Sequence, residues 1–201
     1  MNSGIFGYGA PVMSEAIDRG EPPERMTRAA YRAWSEGRAG RYERIQGVVV
    51  AMAPERVSHN LAKANTWRLL REAILCTDLP CQIFTNGMTL EIGDSDYEPD
   101  CIVRCSDQSL PNDAIAVPDP LIVVEVLSPS TSSVDRAWKL NEYFRLPSLR
   151  HYLIVWPDQP RVVHHRRGDA GSEIETHMPT SGPLALDPPG IAIALEEIYS
   201  G

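Results

Sequence analysis

Short apolar runs, each bounded by glycine, proline or a polar cluster, recur along the chain and predict strands. Arg41–Gln46 and Val48–Met52 flank Gly47 and read as a hairpin that Pro54 ends. Gln82–Thr85 and Met88–Ile92 flank Asn86-Gly87, a dipeptide suited to a tight turn, and predict a second hairpin. Asp100–Cys105 is a short apolar strand. Leu121–Leu127, LIVVEVL, is nearly all apolar and β-branched, as expected of a central strand buried on both faces. His151–Trp156, Arg161–Arg166 and Glu173–His177 continue the pattern, and Ile191–Tyr199 reads as a strand followed by one helical turn.

Three segments have helical character. Thr27 is placed to cap a helix over Arg28–Glu36, and Ser58 to cap a long one through Leu75, with Leu61, Ala64, Leu69 and Ala73 on one face. Ser128-Pro129-Ser130-Thr131 breaks the central strand and leads into a third helix, about Val134 to Arg145. The strand–helix–strand passage over 121–156 permits one parallel pair, whereas hairpins are antiparallel. The expected fold is therefore α/β: a mixed β-sheet with flanking helices. Residues 1–25 lack periodicity and read as a loosely ordered arm; residues 26–201 read as a single domain.

Composition narrows the class. The chain has 201 residues, 43% of them hydrophobic and 23% charged, an ordinary globular balance. No apolar run approaches the roughly 20 residues of a membrane span, and the N-terminus has no basic start with an apolar stretch, so a soluble cytoplasmic protein is expected. Cys76, Cys81, Cys101 and Cys105 lack the tight spacing of structural zinc sites, and reduced, buried thiols are expected. The net charge of −8 argues against coating nucleic acid by charge alone. Between Glu91 and Glu125 nine acids face Arg104 alone, which predicts a solvated acidic face or a cation site.

Glu125 is the most unusual residue, a carboxylate inside LIVVEVL where burial demands a partner, a proton or a metal. An ion pair with an arginine such as Arg136 would satisfy it. Asp100 opens another strand after Pro99, so adjacent strands can set Asp100 beside Glu125, and a divalent cation would relieve their repulsion. Oxygen-only ligation of this kind suits Mg²⁺ or Mn²⁺. Glu43 would complete a three-carboxylate site if it entered the same cleft. Lys139 lies on the helix after Glu125, where pairing with Asp135 at the surface is the plain alternative. His59, at the start of the long helix, could cap it or meet a substrate but reads more simply as a satisfied surface histidine. His164-His165-Arg166-Arg167 could meet phosphates but reads more simply as an exposed basic turn. Ser128 and Ser130 lack a nucleophile-elbow setting, and no nucleotide-binding glycine motif occurs.

The segments YERIQGVVVAMAP, SHNLAKANTWRLL, EPDCIVR, PLIVVEVLSPSTSSVDRAWKLNEYF, HYLIVW and LEEIY together resemble the Uma family of bacterial restriction endonucleases, within the PD-(D/E)XK nuclease superfamily. The resemblance runs from about Met26 to Tyr199. It implies a restriction-endonuclease-like core, Mg²⁺ or Mn²⁺ held by Asp100, Glu125 and Glu43, hydrolysis of DNA phosphodiesters, and a homodimer matched to the two strands of a duplex. The superfamily motif has lysine two residues after its second acid; here that position is Leu127, and Lys139 is the candidate replacement. A catalytically silent dimeric binding module of the same fold, or a zinc-stabilised protein using the four cysteines, are the competing expectations.

Overall fold

The computed structural model describes residues 25–128, 133–168, 171 and 173–200. All but the last residue of the arm expected over 1–25, and Pro129-Ser130-Thr131 of the predicted strand break, lie outside the described residues.

In chain order the elements are α1 (Arg28–Ser35), β1 (Tyr42–Ile45), β2 (Val48–Ala51), α2 (Val57–Leu75), β3 (Cys81–Thr85), β4 (Leu90–Ile92), β5 (Ser95–Tyr97), β6 (Cys101–Cys105), β7 (Ile122–Val126), α3 (Ser133–Tyr143), β8 (His151–Trp156), β9 (Arg161–Arg167), β10 (Ile174–His177), β11 (Pro183–Leu186), β12 (Ile191–Ala194) and a 3₁₀ turn (Leu195–Tyr199). The central sheet has the order β10-β9-β8-β7-β6-β3. Its β7–β8 pair is parallel and bridged by α3, as the 121–156 pattern requires. The mixed α/β expectation holds.

β7 is central because both its faces are buried. Ile122, Val124 and Val126 pack with α2, β12 and the 3₁₀ turn; Val123 and Leu127 pack with Tyr143, Tyr152 and the β4–β5 hairpin. Helix α2 offers Ala62, Thr66, Leu69, Leu70 and Ile74 to the first layer. Leu61 is half exposed, so the inward face is rotated from the one expected. Arg56 rather than Ser58 is the N-cap, without a side-chain cap bond. Thr27 does cap α1, accepting from the Ala30 N–H.

The first hairpin forms as expected, its turn at Gln46-Gly47 having positive φ at both residues. The second does not. β3 pairs with β6, while β4 leaves the central sheet and pairs with β5 in a smaller sheet ordered β2-β1-β5-β4. Burying Leu90 and Ile92 on the far side of the central sheet overrides the local turn signal at Asn86-Gly87. β5, reading SDY, has no apolar signature, yet it is buried. Arg44, fully buried opposite Asp96, donates to it at 2.6 Å, and Arg28 also donates at 2.6 Å.

The acidic run between Glu91 and Glu125 is therefore neither bare nor simply solvated. Arg28 and Arg32 hold Glu91, Arg44 holds Asp94 and Asp96, and Arg41 holds Glu98. Two further expectations are corrected. Cys81 and Cys105, opposite one another in the β3–β6 register, form a disulfide, leaving Cys76 exposed and Cys101 buried as free thiols; a four-cysteine zinc site is excluded with it. His164 and His165 are buried β9 residues, not an exposed turn, because β9 lies between β8 and β10.

Candidate active site

The four residues singled out from the sequence converge at the C-terminal end of β7. The Asp100 N–H donates to the Val124 carbonyl at 3.1 Å, which extends the antiparallel β6–β7 register by one residue and sets Asp100 opposite Glu125. Asp100 Oδ2 accepts from the Val126 N–H at 2.7 Å. Burial pushes its carboxyl from 3.8 up to about 6, against the opposing pull of that N–H and of Lys63 and Lys139.

Lys139 enters from α3. Its Nζ donates to Glu125 Oε1 at 2.9 Å and to Glu43 Oε1 at 3.0 Å. The surface pairing with Asp135 and the arginine partner for Glu125 thus give way to a lysine clamped between two carboxylates. Burial opposes its charge, but Glu125 and Glu43 outweigh that and raise its pKa well above the ordinary value. Glu43 is buried, which pushes its carboxyl up; the Glu125 charge adds to this, while Lys139 and the Glu98 N–H pull it down. That N–H reaches Glu43 Oε1 at 3.1 Å. Leu127, on the same face of β7 as Glu125, is 7% exposed and packed in the apolar layer.

Further residues line the site, of which the sequence reading considered His59, as a surface residue, and passed over the others. Tyr143, one helical turn after Lys139, donates to Glu125 Oε1 at 2.5 Å. From the other side, α2 presents His59 and Lys63, and the segment before it presents Glu55. Lys63 holds both Glu55 oxygens, at 2.5 and 2.6 Å, and Arg41 reaches Glu55 at 2.5 Å. Burial alone would raise Glu55; hydrogen bonds from Lys63 and Asn60 outweigh it and hold the carboxyl at about 2. His59 is buried, its Nε2 lying 2.9 Å from the Val126 carbonyl. A carbonyl only accepts, so Nε2 carries the proton. Burial lowers the His59 pKa despite the pull of Glu55. The i,i+4 series Glu55, His59, Lys63 is the signal that could have found this face.

Glu43, Glu55, Asp100 and Glu125 all line one cleft, with Arg41, His59 and Lys139 among them. A divalent cation fits this donor set. The cleft's carboxylates offer hard oxygens, and Asp100, reluctant to ionise in its buried position, is favoured as an anion by a cation set against it. No helix among the described residues is long and apolar enough to cross a membrane.

A six-stranded mixed sheet with one helix-bridged parallel pair, Glu125 on β7 and Asp100 immediately before β6 agree with the restriction-endonuclease-like core that the resemblance implies. A solved structure shares the fold: a "putative nuclease belonging to DUF820" from Anabaena variabilis superposes with a TM-score of 0.70, covering 87% of this chain and 97% of that one at 14% identity. The Uma2 family model, described as "Putative restriction endonuclease", matches residues 28–196, and the chain belongs to that family. Two relatives come from Synechocystis sp. "Uncharacterized protein slr1290" is 26% identical over 191 residues, 90% of this chain and 94% of its own length. "Uncharacterized protein sll1609" is 31% identical over 145 residues, 71% and 81% respectively.

Proposed function

We propose that this protein is a metal-dependent endonuclease that hydrolyses DNA phosphodiester bonds in the bacterial cytoplasm. Asp100 and Glu125 hold Mg²⁺ or Mn²⁺, Lys139 replaces the lysine missing at position 127, and Glu43 closes the carboxylate set while keeping Lys139 in place. When bound, the ion lowers the pKa of an attacking water and stabilises the leaving oxygen. The Lys139 ammonium offsets the charge that develops on the phosphate oxygens. Tyr143 fixes the Glu125 carboxylate, and the Val126 N–H fixes that of Asp100. A homodimer brings one such cleft to each strand of a duplex.

One observation carries this reading: Lys139 Nζ stands 2.9 Å from Glu125 Oε1, so acid and lysine are adjacent despite the apolar Leu127. The test is cleavage of plasmid DNA in Mg²⁺ or Mn²⁺. Asp100→Ala should abolish it and Lys139→Ala should slow it by at least ~100-fold. Full activity in either variant overturns the assignment, and a wild-type protein that binds the ion yet cuts no nucleic acid is the silent binding module instead. Light scattering at micromolar concentration tests the dimer, and a monomer there overturns it.

A further inference from the structure

A different part of the cleft carries a nitrogen donor. One ligand atom from each of Glu55, His59 and Asp100 lies within 4.8 Å of the others. His59 is 7% exposed, and its Nε2–H is committed to the Val126 carbonyl. Its Nδ1 therefore carries a lone pair, and that atom is buried with no hydrogen-bond partner. Glu55 Oε2, itself an acceptor, lies 3.7 Å from Nδ1, and Asp100 Oδ2 lies 3.7 Å from Nε2 on the same ring. Two lone-pair donors facing each other across a gap too long for a hydrogen bond are satisfied by a cation placed between them.

We propose that Glu55, His59 and Asp100 form a second cation position, which shares Asp100 with the Asp100–Glu125 position and takes a first-row transition-metal dication. This rests on the nuclease reading and deepens it, since two ions sharing one carboxylate can serve the attacking and the leaving oxygen separately. The chemistry of the donors sets the preference: two carboxylates with one imidazole suit Mn²⁺, Co²⁺ or Zn²⁺ better than Mg²⁺, which favours oxygen alone. Lys63 is the ion's competitor. It bridges both Glu55 oxygens, Arg41 occupies Oε1 and Asn60 Oε2, so roughly all four acceptor positions of that carboxylate are in use. An entering ion takes one of the positions Lys63 holds.

Untagged full-length protein titrated with Mn²⁺ and followed by electron paramagnetic resonance provides the test. Wild type should bind two ions, with nitrogen modulation in the pulsed spectrum. His59→Phe should lose the modulation and one ion while keeping the other, and Glu125→Gln should keep the nitrogen-coordinated ion. Glu55→Gln, which leaves the buried ring alone, should weaken that ion at least tenfold and serves if His59→Phe does not fold. Lys63→Met should tighten it about tenfold. Two ions or one without nitrogen modulation, or modulation that survives in His59→Phe, overturn this inference and leave metal-dependent cleavage standing. One nitrogen-coordinated ion lost equally from His59→Phe and Glu125→Gln means a single position and overturns it likewise. No bound Mn²⁺ at all overturns the nuclease reading as well.

Discussion

Lys139 Nζ donates to Glu125 Oε1 at 2.9 Å from a helix that follows β7, so an ammonium stands beside the second acid although the residue two places after it is leucine. The helix supplies what the strand cannot, because Leu127 is spent on packing against α3's side of the sheet.

That division of labour predicts the outcome of restoring the motif in place. Leu127→Lys would bury an ammonium among apolar side chains, at a cost of at least ~2 kcal/mol unless it found a partner. Urea denaturation should show the loss. An unchanged or raised midpoint would mean that position 127 opens to the cleft.

Removing the clamped charges should also be costly in metal-free protein. Repulsion between Asp100 and Glu125 alone would predict that deleting Glu125 stabilises the fold. The structure reverses that expectation, since Glu125 is the acceptor for both Lys139 and Tyr143. Glu125→Ala and Lys139→Ala, measured in chelator, should each lose about 3 kcal/mol, the usual result of breaking a buried pair from one side. Glu125→Gln should lose less, because its amide oxygen still accepts from Tyr143.

Buried groups pull stability in opposite directions below neutrality. Asp100 lies at about 6 rather than 3.8, so the folded state holds its proton more tightly, and acidification through that interval is stabilising. His151 and His164 are pushed down by burial from 6.5 to about 4 and about 3, and His151 further pairs with His164 at 2.8 Å and with the Pro188 carbonyl. Their contribution is complete above 6.5 and is lost as the pH falls toward those values. At about 1.4 kcal/mol per unit the two histidines outweigh one aspartate, so metal-free protein should lose stability on acidification. The slope should be shallower in His164→Phe and steeper in Asp100→Asn. A wild-type profile that rises toward acid would contradict this.

Thiol counting checks the disulfide. Denatured, unreduced protein should show two reactive thiols, Cys76 and Cys101, and all four after reduction. In the native state Cys76 should react at once and Cys101 should not, since burial pushes its thiol up. Cys105→Ser should cost roughly 3 kcal/mol, the scale for a loop of this size. Four thiols without reductant would exclude the bond.

What was legible in the sequence was whatever a local pattern specifies. LIVVEVL announced β7, the carboxylate inside it pointed to the cleft that Glu125 lines, and the 121–156 pattern gave the parallel pair. What was missed depends on partners distant in the chain. β5 is polar and becomes a strand because Arg44 and Arg28 neutralise Asp96 from elements some 50 to 70 residues earlier. Asn86-Gly87 promised a hairpin that two separate apolar layers pull apart. Helix α2 showed its polar face to inspection, but which of His59, Lys63 and Leu61 turns inward depends on where β7 ends.

The Glu43–Lys139 contact joins residues 96 apart in sequence, and Asp100 and Glu125 come from two further strands between them. No contiguous fragment ending before α3 contains the complete set. A chain growing from its N-terminus therefore carries three acids without their ammonium until α3 has been made and packed. The charge balance of this cleft is thus a property of the assembled domain and of no shorter N-terminal piece.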